Sequence, residues 1–213
     1  YILMNDIDLS SIANWDPSGE RTSRNDHFQG IFDGNGYVIK NLTINRADEE
    51  TVGLFNTVSN SAVIKNVGME NANVVGYIEV GSLCGVAGYA TVENCYSIGG
   101  QVTGARGLAG GLIGTASAES VISNSYAKTD VQALMYAGGL IGELNSSILL
   151  NSYATGNVIV TDTIAGGLVG YATNSTAYSQ IQNCYATGNV EANNDAGGLI
   201  GMAVVDLIQN CYA

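Results

Sequence analysis

The chain has 213 residues, with 28 glycines, one proline, 12 tyrosines against 3 phenylalanines, and a formal net charge of −12 from 19 acidic and 7 basic residues. Dense glycine and few strong helix formers exclude a helical protein. The acidic surplus excludes nucleic acid and anionic membrane surfaces as partners, since Lys and Arg carry both kinds of binding. No run approaches ~18 consecutive apolar residues, so no membrane insertion through an apolar helix is expected.

Residues 1–50 differ from the rest and hold the sole Trp15, Pro17 and His27. Ile2, Met4, Ile7 and Leu9 predict a strand with a register break at Asn5-Asp6, and residues 10–26 read as a polar loop. Phe28 to Phe32 leads into Asp33-Gly34-Asn35-Gly36, where glycine takes φ > 0 without steric penalty. Tyr37 to Ile44 follows as a strand. The local pattern fits a β-hairpin. The repeats that follow favour a tight corner of a coil instead, with residues 1–50 as atypical first coils or a cap.

From Thr51 onward two landmarks recur. One is Ala109-Gly110-Gly111-Leu112-Ile113-Gly114 and its copies, whose leucines fall at residues 54, 83, 112, 140, 168 and 199, in steps of 28 to 31. The other is Asn-Cys/Ser-Tyr, at residues 94–96, 124–126, 151–153, 183–185 and 210–212, with Asn66-Val67-Gly68 as a weaker forerunner. Each unit reads as three short strands: one centred on the Gly-Gly-Leu-Ile-Gly landmark, one entering Asn-Cys/Ser-Tyr-Ala, and one after the turn before Val158 or Val190. No unit shows a 3.6-residue period, and a four-stranded propeller blade needs more chain.

The prediction is an all-β parallel β-helix (solenoid) of about 28 residues per coil, residues 51–213 continuing residues 1–50 as one elongated domain, read as a piece of a longer chain. Each strand should pair with its copy ~4.8 Å along the axis. The leucines then form an interior column, and Cys95, Ser125, Ser152, Cys184 and Cys211 a slot for small residues. Asn66, Asn94, Asn124, Asn151, Asn183 and Asn210 form an amide ladder at a corner.

The Gly-Leu-Ile/Val-Gly landmark with Asn-Cys/Ser-Tyr-Ala between its copies resembles the GLUG-motif repeats of bacterial secreted and cell-surface proteins, and residues 28–42 look like the segment that often precedes them. The resemblance covers nearly the whole chain. It implies a right-handed parallel β-helix, as in haemagglutinin-like adhesins, and an extracellular setting; it implies no activity. Asn56 replaces the closing glycine of the first copy and Ser82 a glycine of the second, which suggests less regular early coils.

Chemistry-bearing groups are sparse. Cys184 and Cys211 lie on neighbouring coils, within reach of a disulfide, while the serines sharing their column mark cysteine there as a small filler; Cys84 pairs with nothing. Asp130 sits at a turn, Asp162, Asp195 and Asp206 share no spacing, and His27 beside Asp26 reads as a bystander. Asp6, Asp8 and Asp33 could offer oxygens to Ca²⁺, but turn chemistry accounts for them. No catalytic residue, metal ligand or cofactor is assigned.

Two outward columns are the candidate sites. Tyr96, Tyr126, Tyr153, Tyr185 and Tyr212 would bind a glycan or a protein, or stack and stabilise the coil. Phe55, Cys84, Ile113, Ile141, Val169 and Ile200 would be an apolar row for self-association, unless the corner tucks them inside. The leading expectation is a non-enzymatic extracellular stalk or adhesive segment of a secreted or cell-surface protein. The alternatives are a self-assembling filament protein and, more weakly, a fragment of a polysaccharide-degrading β-helix enzyme.

Overall fold

The computed structural model describes residues 1–16 and 27–213. Most of the loop expected over residues 10–26, including Pro17 and Asp26, therefore lies outside the described residues. The chain winds as a β-solenoid of about seven turns, with no helix among the described residues. One turn shows the plan: Glu79–Gly81, Cys84–Gly88, Thr91–Glu93 and Tyr96–Gly104 are four strands in succession, and Leu108–Gly110 begins the next turn. Numbering the sheets in the order in which this turn visits them, strands stack into sheets one and two of 6 strands each, sheet three of 7 and sheet four of 10.

Pairing is parallel and follows the repeat. Ala109 faces Val80 and Ala137 in sheet one, Val92 faces Ile64 and Ile122 in sheet three, and Tyr126 faces Tyr96 and Tyr153 in sheet four. The early residues enter the same sheets, as Ile7 pairs with Ile39, and Val38–Lys40 with Gly68–Glu70. Asp33 to Gly36 is thus a corner between sheets three and four rather than a hairpin. The break at Asn5-Asp6 lies at the same corner one turn earlier.

The structure differs from expectation at the first landmark. Gly-Gly-Leu-Ile-Gly is a bend between two sheets rather than the centre of one strand, so each full turn visits four sheets. Ala109 and Gly110 end a sheet-one strand, and Ile113 and Gly114 begin a sheet-two strand. Glycine is required because backbones meet there. A Cβ on Gly110 would lie 2.0 Å from Ile113 O and 2.7 Å from Gly142 N, and one on Gly114 would lie 2.5 Å from Val80 N. Ser82, where other copies have glycine, is accommodated by donating its hydroxyl to Gly111 O at 2.6 Å.

The columns form as the repeat predicts. Leu83, Leu112, Leu140 and Leu168 are fully buried, and Leu54 nearly so. At the corner before sheet four the six asparagines all adopt φ between 49° and 55°, a region that asparagine tolerates better than most residues. Asn94 Nδ2 donates to Asn66 Oδ1, Asn183 to Asn151 and Asn210 to Asn183, at 3.0 to 3.2 Å. Asp33 heads this ladder and accepts from Asn66 Nδ2 at 3.0 Å.

The next column explains why serine and cysteine interchange. Ser125 and Ser152 donate to carbonyls two residues back at 2.8 and 2.7 Å, and Cys184 places its thiol on the equivalent carbonyl at 3.0 Å. All four cysteines are free thiols. Burial pushes Cys95 and Cys184 up to about 12 and Cys84 still higher, so they remain protonated filler.

Candidate functional site

The tyrosine column begins sheet four, directly after the asparagine corner. Ser97, Ala127, Ala154 and Ala186, the next residues along, are buried. Alternation therefore turns the five rings outward, where Tyr96, Tyr126, Tyr153 and Tyr185 are half-buried and Tyr212 is exposed. Successive ring centroids lie 5.1, 4.7, 4.8 and 5.2 Å apart, with interplanar angles of 5° or less. The spacing equals the strand repeat, so the sheet itself imposes the stacking. Beneath the first ring lies Gly68, where a Cβ would come within 2.2 Å of Tyr96 Cζ.

This geometry decides what the column can offer. Each interior ring has both faces against other rings, so face stacking onto a sugar is closed to it; ring edges and a row of phenol oxygens remain. Lys128 Nζ approaches Tyr126 and Tyr153 at 5.5 and 6.0 Å from their centroids. Burial raises the phenols of Tyr96, Tyr126, Tyr153 and Tyr185, reinforced at Tyr96 by Glu70. They are neutral hydrogen-bonding groups at ordinary pH.

The apolar column is a correction. Phe55, Cys84, Ile113, Ile141 and Val169 are buried, with Ile200 half-buried, so this row is no outward surface for self-association. Phe55 packs edge-on against Phe32 at 5.3 Å inside the core. The bend at Gly-Leu interrupts strand alternation, so the leucine and the residue after it both point inward.

Several of the scattered carboxylates hold turns together. Asp130 accepts from the backbone of Asn157 at 2.8 Å and Asp206 from that of Ser179 at 2.8 Å. Asp6 accepts from Val38 N and pairs with Lys40 at 2.9 Å, and Asp8 accepts from Asn41 and Ser10. These bonds hold Asp6, Asp8 and Asp33 below the usual carboxylate range. Among the described residues no group of three or more His, Cys, Asp or Glu is arranged to hold a metal ion. His27 Nδ1 lies 3.2 Å from Ser59 Oγ on the neighbouring coil.

Sequence reasoning did not assemble a groove of about 550 Å³ between the outer columns of sheets one and two, with Tyr136, Glu143 and Tyr171 among its walls. These residues belong to neither landmark. Only the register, which sets Glu143 beside Tyr171 in adjacent strands, brings them together. Burial, then the charge of Glu79, raises the Glu143 carboxyl above its ordinary range.

Residues 162–191 match the family model described as the GLUG motif. Halomucin of Haloquadratum walsbyi is 37% identical over 135 residues, covering 60% of this chain and 1% of its own length. A candidate Gly-rich membrane protein of Evansella cellulosilytica is 36% identical over 109 residues, covering 49% of this chain and 10% of its own. Among solved structures, a candidate immunoglobulin A1 protease of Bacteroides ovatus superposes on the whole chain with a TM-score of 0.81 at 25% identity, over 68% of its own length. A protein named IgA1 protease superposes with a TM-score of 0.65 at 18% identity over 18% of its length, a likeness of fold alone. The chain is thus a parallel β-solenoid that carries the GLUG motif, matched at residues 162–191.

Proposed function

We propose that the chain is a rigid, non-catalytic β-helical segment of a secreted or cell-surface protein, one that spaces other parts of its parent and makes adhesive contacts to a glycan or protein along its side. The observation that carries this reading is the stack of five parallel tyrosine rings, one per coil. Such a column stiffens the coil and repeats one hydrogen-bonding group along its length. Edge and hydroxyl contacts suit a partner that itself repeats along a surface. The setting is consistent with relatives that are far longer than the segment they share, one of them named a membrane protein. Chemistry of the groups present supports a non-catalytic role: the inner thiols are buried and the turn aspartates are already bonded.

Two measurements test it. Negative-stain microscopy and small-angle scattering over a concentration series should show short monodisperse rods, ~35 Å long for seven turns at ~4.8 Å each. Filaments of uniform width would favour the self-assembly reading. Incubation with immunoglobulin A1 should leave it intact; cleavage that Ser59→Ala abolishes would replace the spacer reading with an enzymatic one built on the His27 and Ser59 pair.

A further inference from the structure

The groove between sheets one and two is walled by one outer column from each sheet. On one side the outer column of sheet one carries Glu79, Leu108 and Tyr136 in register. On the other, the outer column of sheet two carries Thr115, Glu143 and Tyr171. The Tyr136 and Tyr171 rings lie 5.6 Å apart at 25°, so each turns one face toward the other. Apolar Ile78, Leu108 and Leu134 are also part of the lining, with Arg106 and Asp162 exposed at the rim. A volume of about 550 Å³ falls in the usual range for small-molecule sites.

We propose that this groove binds an organic cation, an alkylated ammonium group or a lysine-like side chain, against the tyrosine rings with Glu143 as its counter-ion. Three observations converge on a positive ligand. The carboxylates Glu79, Glu143 and Asp162 outnumber the single Arg106 around the groove. The tyrosine rings present negative faces, which attract cations most strongly where water is excluded. Glu143 is withdrawn from solvent and repelled by Glu79, a placement that a bound cation relieves and a bound anion aggravates. Directly below Glu143 in the same column, the buried Thr115 hydroxyl finds no hydrogen-bond partner among the described residues. The groove thus has a half-buried carboxylate, an apolar wall and aromatic rings, the combination that recognises a cation carried on an apolar body.

The test is calorimetric titration of the whole chain with choline chloride, its uncharged isostere 3,3-dimethyl-1-butanol, and maltotriose. Choline should bind in the millimolar range, with the isostere about tenfold weaker or more, and Glu143→Gln and Tyr136→Ala should each weaken choline about tenfold. Choline affinity should also fall as pH is lowered and Glu143 takes up a proton. Circular dichroism of both variants verifies that they remain folded, and Glu191→Gln, exposed on sheet four and outside the groove, should bind as the parent does. The proposal is overturned if choline gives no heat up to about 100 mM, or if Glu143→Gln binds it unchanged. Binding of maltotriose without choline would equally overturn it and make the groove a neutral sugar cleft.

Discussion

Asn183 donates its side-chain amide to Asn151 and accepts from Asn210 while its own backbone sits at φ 55°. Two demands therefore fall on one side chain, a left-handed backbone and a two-way hydrogen bond, and substitution separates them. Asn183→Gly relieves the first and loses the second, for a cost of about 1 kcal/mol. Asn183→Ala loses both, and an alanine forced into the left-handed region adds roughly 1–2 kcal/mol. Denaturant unfolding should rank parent, glycine variant and alanine variant in that order; an alanine variant as stable as the glycine one would mean the corner relaxes. Glu143 gives a pH-dependent case. Its carboxyl is raised by burial and by Glu79, so the folded state disfavours the ionised form. The resulting instability is present above the folded value and vanishes below the unfolded one. Glu143→Gln should thus raise the melting temperature by about 2 °C near pH 7 and leave it unchanged near pH 3.5.

Single elements show why some features were legible in the sequence and others were not. The interior leucines, the asparagine corner and the tyrosine column recur with the repeat, and parallel stacking of like on like is the direct consequence of a fixed period. The landmark's shape was not legible. Period-2 alternation places Ile113 opposite Leu112, but the flanking glycines allow a bend that resets alternation and buries both. The groove was less legible still, because Tyr136, Glu143 and Tyr171 occupy positions where other coils carry Leu108, Thr115 and Met202. The tyrosine column itself makes a testable element. Tyr153 has a ring on each side, at 4.7 and 4.8 Å, and an offset or stacked pair contributes about 0.5–1.5 kcal/mol beyond area burial. Tyr153→Ala should therefore destabilise by roughly 1–3 kcal/mol, while Tyr153→Phe, which retains the stack, should be close to neutral. Loss of stability in the phenylalanine variant would show that the hydroxyl row, rather than the stacked rings, holds this face together.

For the molecule as a whole, the decisive property is that each turn touches chiefly the turns before and after it. The solenoid already tolerates irregular length at one place. Sheet two ends at Thr173 and sheet three resumes at Gln180, whereas one turn earlier Asn145 and Ile148 are separated by two residues only. The extra residues bulge from a corner, and Ser147 N still reaches Ser179 Oγ at 3.2 Å, so the ladders on either side stay in register. Stability in such a stack is close to a sum of per-turn terms and neighbour interfaces, which makes whole turns removable units. Leu108 and Tyr136 are partners in adjacent strands, as are Ala109 and Ala137. Deleting residues 109–136 joins Leu108 to Ala137 with every later strand still in its own sheet and Tyr96 now below Tyr153. That variant should fold, melt cooperatively, lose roughly a seventh of the unfolding free energy, and form a rod ~5 Å shorter. Deleting residues 109–122 instead would join a sheet-one strand to the end of a sheet-three strand, turn interior side chains out, and leave a chain that aggregates. If both deletions fold equally well, or neither does, the turns are not independent units and the one-dimensional account of this solenoid fails.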